Sequence, residues 1–352
     1  MNIPCCECLI FKRRHKLARI LLPVVPRRLI MNLLMMYTAI PHTTAAYLEK
    51  ALRHVASVRT CGPTISPGTV AAWNLEMIAD RVRPHDQECG EARTDEILEG
   101  LGGFSPDWLL FIESGVWFKM PILDDAPFPK ACYLIDTHLF PSDHLAIASR
   151  FDVVFLAQRS YVDLFREKLC RPVYWLPLAA DPSIHRPVPS EERFDIGICG
   201  SESSPTTQRS RRLSRLALHY SVGKKRVFLE EMSAFLSECR LLFNSAVLND
   251  LNMRVFESLA IGKCLLTDSV SGLSDLFIPD RDLIVYDDGD LIGKVQFLLD
   301  HPEIREQVAR NGREKVLSRH TYLHRARSIV RMLTDFSQAI HKGEEHAAHS
   351  YI

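Results

Sequence analysis

The 352-residue sequence has no run of the roughly 20 apolar residues that a membrane-spanning helix requires. Its best stretch, "LARILLPVV" (17–25), is short and interrupted. Net charge is also missing, because 43 Lys and Arg balance 43 Asp and Glu, so nothing suggests bulk nucleic-acid binding. The first strand runs into "YTAIPHT" (37–43), which lacks the Gly-x-Gly-x-x-Gly turn and so disfavours a nicotinamide dehydrogenase. No Walker loop or Gly-x-Ser-x-Gly elbow occurs either, which removes P-loop and α/β-hydrolase chemistry. Paired cysteines are scarce. Outside "CCEC" (5–8) the other seven of the ten cysteines are solitary, and Cys132, Cys199 and Cys264 lie in apolar runs where a thiol is a small buried hydrophobe. That pattern favours a reducing cytosol over a disulfide framework. "CCEC" has no second ligand pair at matching spacing to complete a zinc site.

What is present is an ordinary globular composition, 47% hydrophobic and 24% charged, in a chain long enough for two domains. Residues 1–30 carry seven Lys or Arg against Glu7 alone. They read as an appendage to a pattern that starts at Met31: a basic amphipathic membrane contact, a targeting peptide, or translated sequence ahead of the true start. From there short apolar runs alternate with amphipathic ones. Strands are expected at 32–38, 57–62, 107–113, 131–136, 152–157 and 173–178, with a helix over 43–55. These strands are apolar on both faces, as in a parallel sheet covered by helices.

A Pro-rich passage, "LAADPSIHRPVPSEER" (178–193), then interrupts the pattern. Beyond it strands recur at 194–201, 240–244, 263–268 and 283–288, alternating with helices. The expected organisation is therefore a first doubly wound domain over 31–180, a linker at 181–193 and a second over 194–320. Residues 321–352 form a helix crossing the junction and a tail. The run between 201 and 232 is compact and Arg-rich, and Arg226 is a candidate for an extra positive group there.

In open α/β sheets ligands bind outside the carboxyl ends of the strands, where helix N-termini favour negative charge. The segment "NDLNMRVFESLAIG" (249–262) fits that position. Asn252 stands at the helix start, Arg254 can neutralise a diphosphate, and Glu257, one turn on, can accept two ribose hydroxyls. The other reading is a plain i,i+3 ion pair on a solvated face. "DDGD" (287–290) opens the helix "DLIGKVQFLLD", so its acids read as helix caps and not as a metal-gripping Asp-x-Asp.

"NDLNMRVFESLAIGKCLLTD", "GLSDLF" and "HPEIREQVARNGREKVLSRHTYLHR" resemble the C-terminal half of CgeB-like, group-1-like glycosyltransferases. "CYLIDTHL", "FDVVFLAQRSYVDLF" and "VYWLPLAADPSIH" are similar to the N-terminal half. The resemblance implies the GT-B fold, two Rossmann-like domains facing across a cleft. It implies a metal-independent transferase that moves a sugar from a nucleoside-diphosphate-sugar donor to the hydroxyl of a glycan or other acceptor. Donor contacts would come from Asn252, Arg254, Glu257, Gly200, Ser201, Gly272 and Leu273. Candidate catalytic residues at the cleft edge of the first domain are Glu113, Asp136 and His138. In related retaining transferases a first Glu lies eight positions before the match to Glu257, where this chain has Asn249. That departure keeps two other readings open, a non-catalytic nucleotide- or glycan-binding relative and a sugar-nucleotide epimerase.

Overall fold

The computed structural model describes residues 30–89, 94–115, 126–200 and 207–342. The first half is a seven-stranded sheet of β1 (Asn32–Met36), β2 (Ser57–Gly62), β3 (Gln87–Glu88), β4 (Trp108–Ile112), β5 (Lys130–Leu134), β6 (Val153–Leu156) and β7 (Val173–Trp175). Its helices are α1 (Thr44–Leu52), α2 (Pro67–Ala72), α3 (Thr94–Gly100), α4 (Pro141–Ala148) and α5 (Val162–Leu169). The strands are parallel and ordered β3-β2-β1-β4-β5-β6-β7. All five residues of β4 are buried, as a central strand covered on both faces demands.

The second half is a five-stranded parallel sheet, ordered β12-β11-β10-β8-β9. Its strands are β8 (Phe194–Cys199), β9 (Val222–Lys225), β10 (Cys239–Phe243), β11 (Cys264–Asp268) and β12 (Ile284–Tyr286). Its helices are α6 (Gln208–Ala217), α7 (Leu229–Ser237), α8 (Met253–Ile261), α9 (Leu273–Leu276), α10 (Leu291–Asp300) and α11 (Pro302–Arg319). The compact Arg-rich run thus holds a helix and an edge strand. β9 escapes a hydrophobicity reading because Gly223 is its only buried residue.

Each sheet has one point where the strand order reverses, between β1 and β4 in the first and between β8 and β10 in the second. These switch points are where the crevice of a doubly wound sheet opens. Chain connections join the halves twice. The linker meets the end of α11 where Ala180 N–H donates to His320 O (3.1 Å) and Tyr322 N–H to Ala180 O (3.0 Å). Helix α12 (Tyr322–Lys342) then returns to the first half: Trp108 Nε1 donates to Ser337 Oγ at 3.0 Å, and Tyr322 stacks on Tyr47 of α1 at 5.2 Å. Among the described residues no helix is long and apolar enough to cross a membrane.

Candidate functional site

The second switch point gathers positive charge. β8 ends at Gly200, whose φ of +153° suits glycine, and a Cβ there would stand 2.7 Å from Arg209 Nη2. Arg209 opens α6, and its Nε is buried without a hydrogen-bond partner among the described residues. Burial and the like charge of Arg254 both lower its pKa, so the two guanidiniums share one neighbourhood near Cys199. Among the described residues no side chain caps the start of α8: Asn252 makes no capping bond, and its buried Oδ1 has no hydrogen-bond partner. A helix start without a side-chain cap favours an anion.

Arg254 and Glu257 occupy the first turns of α8, and they meet. Arg254 Nη1 lies 2.9 Å from Glu257 Oε2, and His185 Nε2 lies 3.3 Å from Oε1. Glu257 is only 2% exposed, so the solvated-face version of the pair is corrected to a buried one. Burial alone would raise its carboxyl pKa; Arg254 first and His185 second outweigh that and hold it at about 2.

The first switch point gathers acid. Glu113 follows β4, and its Oε2 accepts the backbone N–H groups of Ile135 (2.7 Å) and Asp136 (2.8 Å). Its buried Oε1 has no hydrogen-bond partner among the described residues. Burial, reinforced by the charge of Asp136, raises its pKa to about 7. Burial also raises Asp136, against the opposing effect of His138. His138 is buried, its Nδ1 has no hydrogen-bond partner among the described residues, and buried Asp250 of the second half lies within electrostatic reach of both Asp136 and His138. After β1, burial lowers the His42 pKa to about 4, and its ring packs 4.5 Å from Phe228 across the crevice.

The remaining expected residues divide. Gly272 (φ +85°) is wedged at the junction, where a Cβ would stand 2.7 Å from Trp175 of the first half. Leu273 is 2% exposed in the apolar core, and its N–H donates to Val270 O. At this point the chain packs on the first half, because Leu273 is apolar and Gly272 admits the indole. Ser201 lies outside the described residues, as do Cys5, Cys6 and Cys8. Arg226 is exposed over Phe228 (5.6 Å), and the guanidinium that joins Arg254 beside Gly200 is Arg209. In "DDGD", Asp287 Oδ1 accepts the N–H groups of Gly289 (2.7 Å) and Asp290 (3.0 Å), and Asp288 pairs with Arg212. Among the described residues no cluster of His, Cys, Asp and Glu suits a metal ion.

Sequence reasoning missed Arg209, His185, Asp250 and His42. Arg209 was legible in principle as the first arginine of the helix after the strand–glycine unit. His185 carried no such signal, since only folding brings it to Glu257.

The two-sheet architecture is that of known GT-B glycosyltransferases. HepE from Anabaena, solved with UDP-glucose, matches at 11% identity and a TM-score of 0.61, covering 87% of this chain and all of that one. Sucrose-phosphate synthase from Thermosynechococcus elongatus matches at 11% identity and 0.56, covering 88% and 100%. An alpha-glucosyltransferase solved with UDP and a 13-mer DNA containing an HMU base matches at 12% and 0.56, covering 87% and 100%. The chain has the GT-B fold. Residues 184–331 further match the family model described as glycosyl transferase-like, which supports a group-1-like glycosyltransferase. No curated protein matches the sequence.

Proposed function

We propose that the protein is a metal-independent, CgeB-like glycosyltransferase that moves a hexose from a nucleoside-diphosphate donor to an acceptor hydroxyl. The observation that carries this reading is Arg209, a guanidinium with a buried, unpartnered Nε, set beside Gly200 and within the field of Arg254. Arg254 is paired with Glu257, whereas Arg209 Nε has no hydrogen-bond partner among the described residues, and a cation so placed beside a second one suits a diphosphate. Arg209, Arg254 and the uncapped start of α8 neutralise the departing nucleotide in place of a metal. Glu257 accepts the ribose hydroxyls. Glu113 takes the acceptor's proton: a carboxyl held near pH 7 is basic enough to accept it and is still partly ionised at neutral pH. Asp136 and His138 orient the acceptor on the same edge. Closure of the halves excludes water.

The UDP and UDP-glucose complexes of Anabaena HepE support a uridine nucleotide as the first donor to try. The cysteine pattern supports a cytosolic location, and the basic residues 1–30 a peripheral membrane contact. One feature favours a second reading, a binding protein without turnover. Asn249, standing where relatives carry an acid, is exposed, and its Oδ1 accepts the Ser271 N–H at 3.2 Å.

The test is calorimetric titration of the full chain with UDP, GDP, ADP and dTDP, followed by incubation with the matching sugar nucleotide. Transfer is upheld by micromolar binding of one nucleotide and by its release only when a glycan acceptor is added. Binding without release favours the second reading, and sugar interconversion without acceptor marks an epimerase. Failure of all four nucleotides to bind contradicts the proposal.

A further inference from the structure

His185 sits in the Pro-flanked linker between the two sheets, wholly buried, and every contact it makes points to a fixed tautomer. Asp181 N–H donates to His185 Nδ1 at 3.1 Å, so that nitrogen is an acceptor and carries no proton. The ring proton of neutral His185 is therefore on Nε2, which faces Glu257 Oε1 at 3.3 Å. The edge of Tyr47 closes the other side, with ring centroids 5.4 Å apart at 73°. The linker is itself fastened to the first half: Asp181 Oδ2 receives Lys50 Nζ of α1 at 2.7 Å, and Asp181 Oδ1 accepts from Ser183 N–H at 2.9 Å. One line of contacts thus runs from α1 through the linker to the carboxylate on α8.

We propose that His185 is a positioning residue for nucleotide recognition: from the linker it fixes the plane of the Glu257 carboxylate, so that the remaining lone pairs meet the ribose hydroxyls. This rests on the reading of Glu257 as the ribose ligand. Arg254 alone grips one oxygen and leaves the carboxylate free to rotate about its terminal bond. His185 Nε2 stands against the second oxygen at 3.3 Å, a close polar contact short of hydrogen-bond geometry, and contacts on both oxygens restrict that rotation. Because the second contact belongs to the linker, a shift of the halves that moves residues 181–185 also moves the ribose ligand. Hinge position and ribose affinity are then coupled.

The decisive readout is sugar discrimination. UDP, GDP and ADP, each with its 2′-deoxy counterpart, and inorganic pyrophosphate are titrated into the full-length wild type, His185→Phe and His185→Gln. Phe keeps the ring volume without the donor, whereas Gln restores an N–H at similar reach. Wild type should prefer the ribonucleotide over its 2′-deoxy form. His185→Phe should bind the ribonucleotide about tenfold more weakly, through loss of the polar contact to a charged group, and its ribose preference should shrink to about twofold or less. Pyrophosphate, which needs only Arg209 and Arg254, should bind both about equally. His185→Gln should recover most of the preference. If His185→Phe keeps the wild-type preference, or loses pyrophosphate as severely as nucleotide, His185 is merely structural and the proposal falls. A wild type that binds nucleotide without ribose preference overturns the Glu257 reading itself and this inference with it. The same follows if no nucleotide binds.

Discussion

Two buried glutamates stand at the two switch points of this molecule, and their environments drive them in opposite directions. Glu113 in the first half is 4% exposed and Glu257 in the second 2%, so desolvation raises both. Glu113 faces Asp136 and rises to about 7; Glu257 faces Arg254 and His185 and falls to about 2. The neighbours decide the chemistry. A buried carboxylate beside another acid holds its proton near neutrality and can exchange it with a substrate, while one clamped between two donors stays ionised and can only accept hydrogen bonds. One GT-B cleft thus has an edge suited to proton transfer opposite an edge suited to an anionic leaving group.

Removing the acid edge should have the largest effect. Glu113→Gln keeps the volume and an oxygen to accept the Ile135 and Asp136 N–H groups but cannot take a proton, so sugar transfer should fall by about 10²–10⁴-fold while nucleotide affinity is unchanged. Steady-state kinetics beside a nucleotide titration separates the two, and a variant with full turnover would remove Glu113 from the chemistry. On the opposite edge, Arg254→Met leaves the Glu257 carboxylate buried with one partner fewer. Unfolding free energy should drop by about 3–5 kcal/mol, as for other broken buried pairs, and nucleotide binding should be lost. Chemical denaturation measures the first and calorimetry the second.

The contrast also predicts opposite pH dependences. The folded state raises the Glu113 pKa above its ordinary 4.5, so its stabilising contribution is full below 4.5 and is lost as pH rises through about 7. The span corresponds to roughly 3 kcal/mol. Glu257 behaves inversely: its contribution is present above 4.5 and is lost as pH falls through about 2. Denaturation curves across this range for wild type and Glu113→Gln should diverge between pH 4.5 and 7 and run parallel below. At the junction between the edges, Gly272→Ala forces a side chain into φ +85° and against Trp175. It should cost about 1–3 kcal/mol of stability without changing affinity per folded molecule, which a thermal melt and a titration of folded protein report.

The two halves also differ in how far the sequence disclosed them. Strands such as Trp108–Ile112, apolar throughout, and Cys264–Asp268, apolar over its first three residues, are legible because both faces are covered. Val222–Lys225 is not, since an edge strand with two lysines looks like a loop until β8 pairs with it. In the site, Arg254 and Glu257 were visible because three positions on a helix fix their geometry in advance. Their pairing was one of the two readings; its burial was not visible, because that depends on the first half and the linker closing over Glu257. His185 lies 72 positions from Glu257 in the chain. Arg209 was hidden among neighbouring arginines, of which Arg212 is a structural partner of Asp268 and Asp288.

That distinction makes Arg209 the sharpest probe of the account. The Arg209→Ala variant breaks no ion pair among the described residues and removes a guanidinium with a buried, unsatisfied Nε from the neighbourhood of a like charge. Its stability and its affinity for UDP, or for whichever nucleoside diphosphate binds the wild type, should be measured on the same sample. The account predicts unfolding free energy unchanged or slightly raised together with nucleotide binding weakened by about 1.5–3 kcal/mol, roughly ten- to a hundredfold. Unchanged affinity, or a loss of stability that accounts for the weaker binding, would contradict the claim that this edge of the cleft is built to hold a diphosphate.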